Sequence, residues 1–160
     1  EGWGQFDARA ATAALRALDD TRLIDEASGW YDQGGGDVDS RHNYFYPLRI
    51  RPGGRTVALS EYGGIAWPMP GHEPPGKTYG YGTAKDKADL TKRYQMLQWK
   101  TILPQLGRGL SALVYTQLTD VEDEVNGLFT YDRAALKPEA AAVRSCNAAL
   151  AAEFAKVTAK

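Results

Sequence analysis

Two carboxylates stand where chemistry could use them. Glu61 follows the β-prone run Thr56-Val57-Ala58-Leu59-Ser60 and precedes Tyr62 and the pair Gly63-Gly64. Such a run suits a buried strand, and the glycines turn the backbone out of it. A carboxylate held at a strand's end and facing a cleft can act as acid, base or nucleophile; a solvated loop glutamate is the other reading of the same motif. Glu1 opens the stretch Glu1-Gly2-Trp3-Gly4-Gln5-Phe6-Asp7, directly before an Ala-rich helical segment. It therefore sits where a strand would have just ended. Two carboxyl groups sharing one reacting centre can divide the work: one protonates a departing oxygen, and the other attacks or activates water.

Aromatic residues surround both positions. The chain has four Trp, nine Tyr and four Phe, and Trp3, Trp30, Tyr31, Tyr44, Tyr46, Trp67, Tyr79 and Tyr81 fall in loop-like stretches. Flat rings laid against the C–H faces of sugars would explain this placement, as would ordinary packing. Taken as a cluster they lean towards a carbohydrate.

The pieces Glu1-Gly2-Trp3-Gly4-Gln5-Phe6-Asp7, Ser28-Gly29-Trp30, His42-Asn43-Tyr44, Ser60-Glu61-Tyr62-Gly63-Gly64 and Tyr115 to Arg133 resemble, in order, glycoside hydrolase family two. This is the family of β-galactosidases, β-glucuronidases and β-mannosidases. Its catalytic domain is a (β/α)8 barrel, with the acid/base Glu ending strand four and the nucleophile Glu ending strand seven. The resemblance implies Glu1 as acid/base, Glu61 as nucleophile and a retaining route. It implies that Tyr44 hydrogen-bonds the nucleophile, and that Trp30, His42 and Asn43 line the sugar subsite. Trp3 and Gln5, next to Glu1, would position the aglycone or the acid/base. Tyr115 stands where many members carry a Trp beneath the sugar, which leaves an aromatic platform but a different subsite shape. Gln117 and Asp120 are candidates for binding hydroxyls, although the acidic run to Glu124 also reads as a solvated loop. The expected partner is a β-glycoside, with no cofactor and no metal; a sugar-binding relative without turnover, or an inactive fragment of such an enzyme, is the alternative.

Composition narrows the classes. The net charge is −1 with signs interspersed, so nothing electrostatic favours nucleic acid or an anionic membrane. No apolar run approaches the roughly 20 residues of a membrane span. Cys146 is the single cysteine, which excludes an internal disulfide, and two distant histidines give no zinc-ligand spacing.

The elements that must position these residues follow from periodicity. Ala8 to Leu18 reads as a helix with Leu15 and Leu18 on one face, Leu23 to Ser28 as a short strand, and Asp37 to His42 as a polar strand. Thr56 to Ser60 and Leu110 to Gln117 read as buried strands. Lys85 to Leu103 reads as a helix stopped by Pro104, and Pro138 opens a last helix running to about Val157. Gly63 to Thr83 is a long Pro/Gly-rich loop of the kind that covers binding sites. This order implies strands five to eight of a (β/α)8 barrel, residues 1–160 forming its C-terminal half. A complete barrel takes about 250 residues. The missing N-terminal half of the same protein would then be a further partner. A small doubly wound sheet is the competing architecture.

Overall fold

The computed structural model describes residues 6–26, 29–45, 47–51 and 53–159. Three parallel strands, β1 (Val38–Asn43), β2 (Thr56–Gly63) and β3 (Leu110–Thr116), form one sheet in the order β1-β2-β3. Helix α1 (Ala8–Leu18) precedes the sheet. Helix α2 (Lys87–Met96) continues through a π-helical segment, Leu97–Ile102, into the short α3 (Leu103–Leu106), and α4 (Ala140–Thr158) follows β3.

One face of β2 makes the core. Val57 and Leu59, two apart and so on the same face, are 1% and 0% exposed. They pack with Ile50, Ile102, Leu106, Leu110 and Leu150. The π segment, α3 and α4 supply the covering side chains. Burial of each such aliphatic side chain stabilises by about 1.5–3 kcal/mol, so Leu59 is the residue whose truncation would open the centre of the core.

An irregularity in β2 decides what its carboxyl end does. His42 pairs with Glu61 while Arg41 pairs with Leu59, and Tyr115 pairs with Tyr62 while Leu113 pairs with Leu59. Both neighbours therefore see one extra residue in β2, a β-bulge beside Ser60. An unbroken strand would bring Glu61 round to the face of Leu59, because side chains alternate. With the extra residue, Tyr62 takes the core position at 4% exposure, and Glu61 is left with 37% of its side chain accessible.

The half-barrel expectation is overturned: the described residues form a small α/β domain with three strands, and the fourth expected strand, Leu23 to Ser28, is not formed. The physical reason lies in two carboxylates. Asp37 accepts the Ile24 N–H at 2.8 Å through its side chain, and Glu26 accepts the Gly35 N–H at 2.8 Å. Among the described residues, only the bond from Asp37 N–H to the Ile24 carbonyl, also 2.8 Å, joins the two backbones. Side chains have taken the donors that a ladder would need. Leu23 is 76% exposed, unlike a barrel strand residue, and Ala27 and Ser28 lie outside the described residues.

Two smaller expectations are also revised. Pro104 does not end the helical stretch, since it sits in the first turn of α3. A proline lacks the N–H that a first turn leaves unused, and the π segment shifts the hydrogen-bond frame so that a first turn falls there. Leu15 and Leu18 of α1 are exposed, and α1 is held instead by polar bonds. Arg9 donates to the Gln33 carbonyl, Thr12 to Glu26, and Arg16 pairs with Asp37 at 2.5 Å.

Candidate active site

Parallel strands put all their carboxyl ends on one side, where open α/β sheets bind ligands. Here that side collects His42 and Asn43 from β1, Glu61 from β2, and Tyr115, Thr116 and Gln117 from the end of β3. A cleft of about 320 Å³ opens there, lined by Tyr44, Glu61, Tyr81, Thr116 and Gln117 and by the 121–124 loop.

Glu61 is held through one oxygen by the Tyr44 hydroxyl, with the His42 ring beside the same atom. The Tyr44 hydroxyl donates to its Oε2 at 2.6 Å, and His42 Nδ1 lies 3.2 Å from the same atom. Among the described residues Oε1 takes no hydrogen bond, so one oxygen is fixed and the other faces the cleft. Burial first, and then the bond to the Glu61 carboxylate, push the Tyr44 phenol well above its ordinary value; the Thr116 bond works the other way. Tyr44 therefore stays protonated and remains a donor.

The glycines of the sequence motifs are explained by close approach. Gly29 has φ +97°, and a Cβ there would come within 2.4 Å of the His42 ring. The backbone of Gly29 thus walls His42, whose side chain is fully buried, and Trp30 adds an edge contact at 5.5 Å. Gly64 has φ +65°, and a Cβ would meet the rings of Tyr81 and Tyr44 at 2.6 and 2.9 Å. Those rings stack at 3.9 Å and 7°, presenting one aromatic face beside Glu61. Tyr81 is delivered by its N–H bond to the Gly64 carbonyl, 2.8 Å. Burial and the Tyr79 hydrogen bond raise its phenol to about 12, with the charges of Glu124 and Glu61 adding to the effect.

A second carboxylate, Glu124, lies in the same cleft. Its Oε2 accepts from Gln117 Nε2 at 3.0 Å and from Asn126 Nδ2 at 2.9 Å, while Gln117 also donates to Asn126 Oδ1 at 2.8 Å. The loop that carries it is anchored from below. Lys137, 0% exposed, donates to Asp120 Oδ1 and to the Val125 carbonyl, both at 2.8 Å, and the Gly127 N–H also reaches Asp120. Burial pushes the Asp120 carboxyl up and the Lys137 ammonium down, each opposed in part by the other's charge. Gln117 follows a cis peptide from Thr116.

The structure thus brings together Glu61, Tyr44, His42, Trp30 and Gln117. Asn43 lies beside them at the end of β1, paired with Tyr62. Tyr115 faces elsewhere: its ring meets Gly63, Tyr62 and Tyr94 and borders a neighbouring cavity with Asn147. Asp120 is consumed by Lys137 rather than presented to a ligand. Glu1, Trp3 and Gln5 lie outside the described residues. Thr116 and Glu124 line the cleft without having been singled out in the sequence, where Tyr81 stands only as one of the aromatic cluster. For Glu124 the available signal was the Gln117–Glu124–Asn126 set of one carboxylate between two amides. Among the described residues no group of three or more His, Cys, Asp or Glu side chains is arranged to hold a metal ion. No protein-family model matches the chain, and no curated protein matches it.

Proposed function

We propose that this protein is a retaining glycoside hydrolase acting on β-glycosides, in the manner of family two, which its motifs resemble. The observation that carries the reading is Glu61: one carboxylate oxygen tethered by the Tyr44 hydroxyl with His42 beside it, the other open to a cleft lined by a tyrosine stack. A nucleophile needs that division, because a fixed oxygen orients the group while the open one attacks.

The reaction runs in two displacements. Glu61 Oε1, ionised, attacks the anomeric carbon as the bond to the aglycone oxygen breaks, and Glu1 gives that oxygen its proton. Water then attacks the glycosyl–Glu61 ester, Glu1 takes a proton from the water, and Glu61 leaves as carboxylate. This route needs the two carboxyl groups about 5–5.5 Å apart. Tyr44, kept protonated, withdraws charge from Oε2 when the carboxylate is re-formed. The Tyr44–Tyr81 stack offers a flat apolar face to the sugar ring.

The test is turnover of 4-nitrophenyl β-glycosides by the full chain and by Glu61→Gln. The wild type hydrolyses at least one such glycoside and the variant does not. Equal rates in both would end this assignment, and sugar binding without any turnover would replace it with a binding function.

A further inference from the structure

The cleft contains a carboxylate that the two-step reaction leaves unused. Glu124 shares the space with Glu61, and its Oε2 is saturated by the side-chain amides of Gln117 and Asn126. Asn126 is fully buried, and the backbone of the loop is locked by the buried Lys137–Asp120 pair. Glu124 is therefore as firmly held as Glu61, although its own burial is only partial. Among the described residues its Oε1 accepts no hydrogen bond. A carboxylate oxygen fixed in a cleft is a strong acceptor for hydroxyl donors, and a sugar offers hydroxyls in adjacent pairs.

The charge of the cleft points the same way. Glu61, Glu122, Asp123 and Glu124 contribute four carboxylates to its lining, and no Lys or Arg is among the described lining residues. A sugar bearing its own carboxylate would meet like charge without a partner, whereas a neutral sugar would only donate hydrogen bonds.

We propose that Glu124 is a specificity-determining residue that accepts hydrogen bonds from glycone hydroxyls and selects neutral glycones against glycuronides. This rests on the glycosidase reading, and its test separates the two. The full chain is assayed on 4-nitrophenyl β-galactoside, β-glucoside and β-glucuronide, beside Glu124→Gln, in which the oxygen can still accept from both amides. The wild type is expected to favour a neutral substrate over the glucuronide by about a hundredfold or more in kcat/KM, the scale of an uncompensated like charge. In Glu124→Gln that ratio falls at least about tenfold, mainly through a higher KM for the neutral sugar, the signature of lost binding rather than lost chemistry. An unchanged ratio in the variant, or a wild type that prefers the glucuronide, overturns the proposal while leaving the glycosidase reading in place. Should no substrate turn over, the glycosidase reading fails on its own. Calorimetric titration with galactose, glucose and glucuronate then decides, because glucuronate binding as tight as the neutral sugars, or no binding by any of them, overturns the role of Glu124.

Discussion

Asp120 and Glu61 are both carboxylates near the carboxyl end of the sheet, and their surroundings make opposite use of them. Asp120 is 4% exposed, and its Oδ1 is occupied by the Lys137 ammonium and the Gly127 N–H. Glu61 keeps over a third of its side chain accessible, with the Tyr44 hydroxyl on one oxygen and the His42 ring beside that same atom. A carboxylate neutralised by a buried cation and a backbone donor can only hold structure. One oriented by a phenol on a single oxygen keeps the other oxygen for another molecule. The difference is produced by backbone irregularity: the bulge beside Ser60 turns Glu61 away from the core side, while the loop after β3 folds Asp120 beneath itself.

The largest effect that could break this contrast is on Glu61. Replacing it by Gln should lower kcat/KM on an aryl β-glycoside by on the order of 10⁴-fold, with a melting temperature within a few degrees of wild type. A large loss of stability with activity retained would reverse the roles assigned to the two carboxylates. Next is Lys137→Ala, which strands the Asp120 charge and should cost about 3–5 kcal/mol in urea unfolding. Asp120→Leu with Lys137→Met should recover part of that, because the two charges are removed together while the Gly127 N–H loses its acceptor; equal losses in the single and double variants would contradict it. Tyr44→Phe should reduce kcat about 10²-fold by freeing the oriented oxygen, with about 1 kcal/mol lost in stability. Smallest is Gly63→Ala. Its φ of +103° and the Tyr115 ring 2.4 Å from the added carbon predict about 2 kcal/mol of destabilisation by thermal melting. Full stability there would mean that the turn after β2 is looser than the structure has it.

Much of this arrangement was legible in the residues themselves. The β-prone runs gave β2 and β3, and periodicity gave α1 from Ala8 to Leu18, α2 and most of α4. The Tyr44 hydroxyl meets the Glu61 carboxylate at 2.6 Å although the two lie 17 residues apart in the chain. What stayed hidden depends on contacts between distant segments. Leu23 to Glu26 has strand-like residues, but the carboxylates of Asp37 and Glu26 intercept the backbone donors. The bulge in β2 leaves no trace in a run of five β-formers, yet it decides that Tyr62 is core and Glu61 is cleft. Tyr81 lies in an aperiodic loop and reaches Glu61 only because Gly64 lets two rings approach. Glu124 looks like its neighbours Glu122 and Asp123 in sequence; two amide donors on one of its oxygens set it apart.

The most direct test of the central claim is to trap the covalent intermediate. The intact protein is incubated with a 2-deoxy-2-fluoro β-glycoside carrying a good leaving group, then digested and mapped by mass spectrometry. A fluoroglycosyl adduct on the peptide containing Glu61 is the predicted result. An adduct on Glu124 or another carboxylate, or full turnover of the unfluorinated glycoside with Glu61 unlabelled, would contradict it.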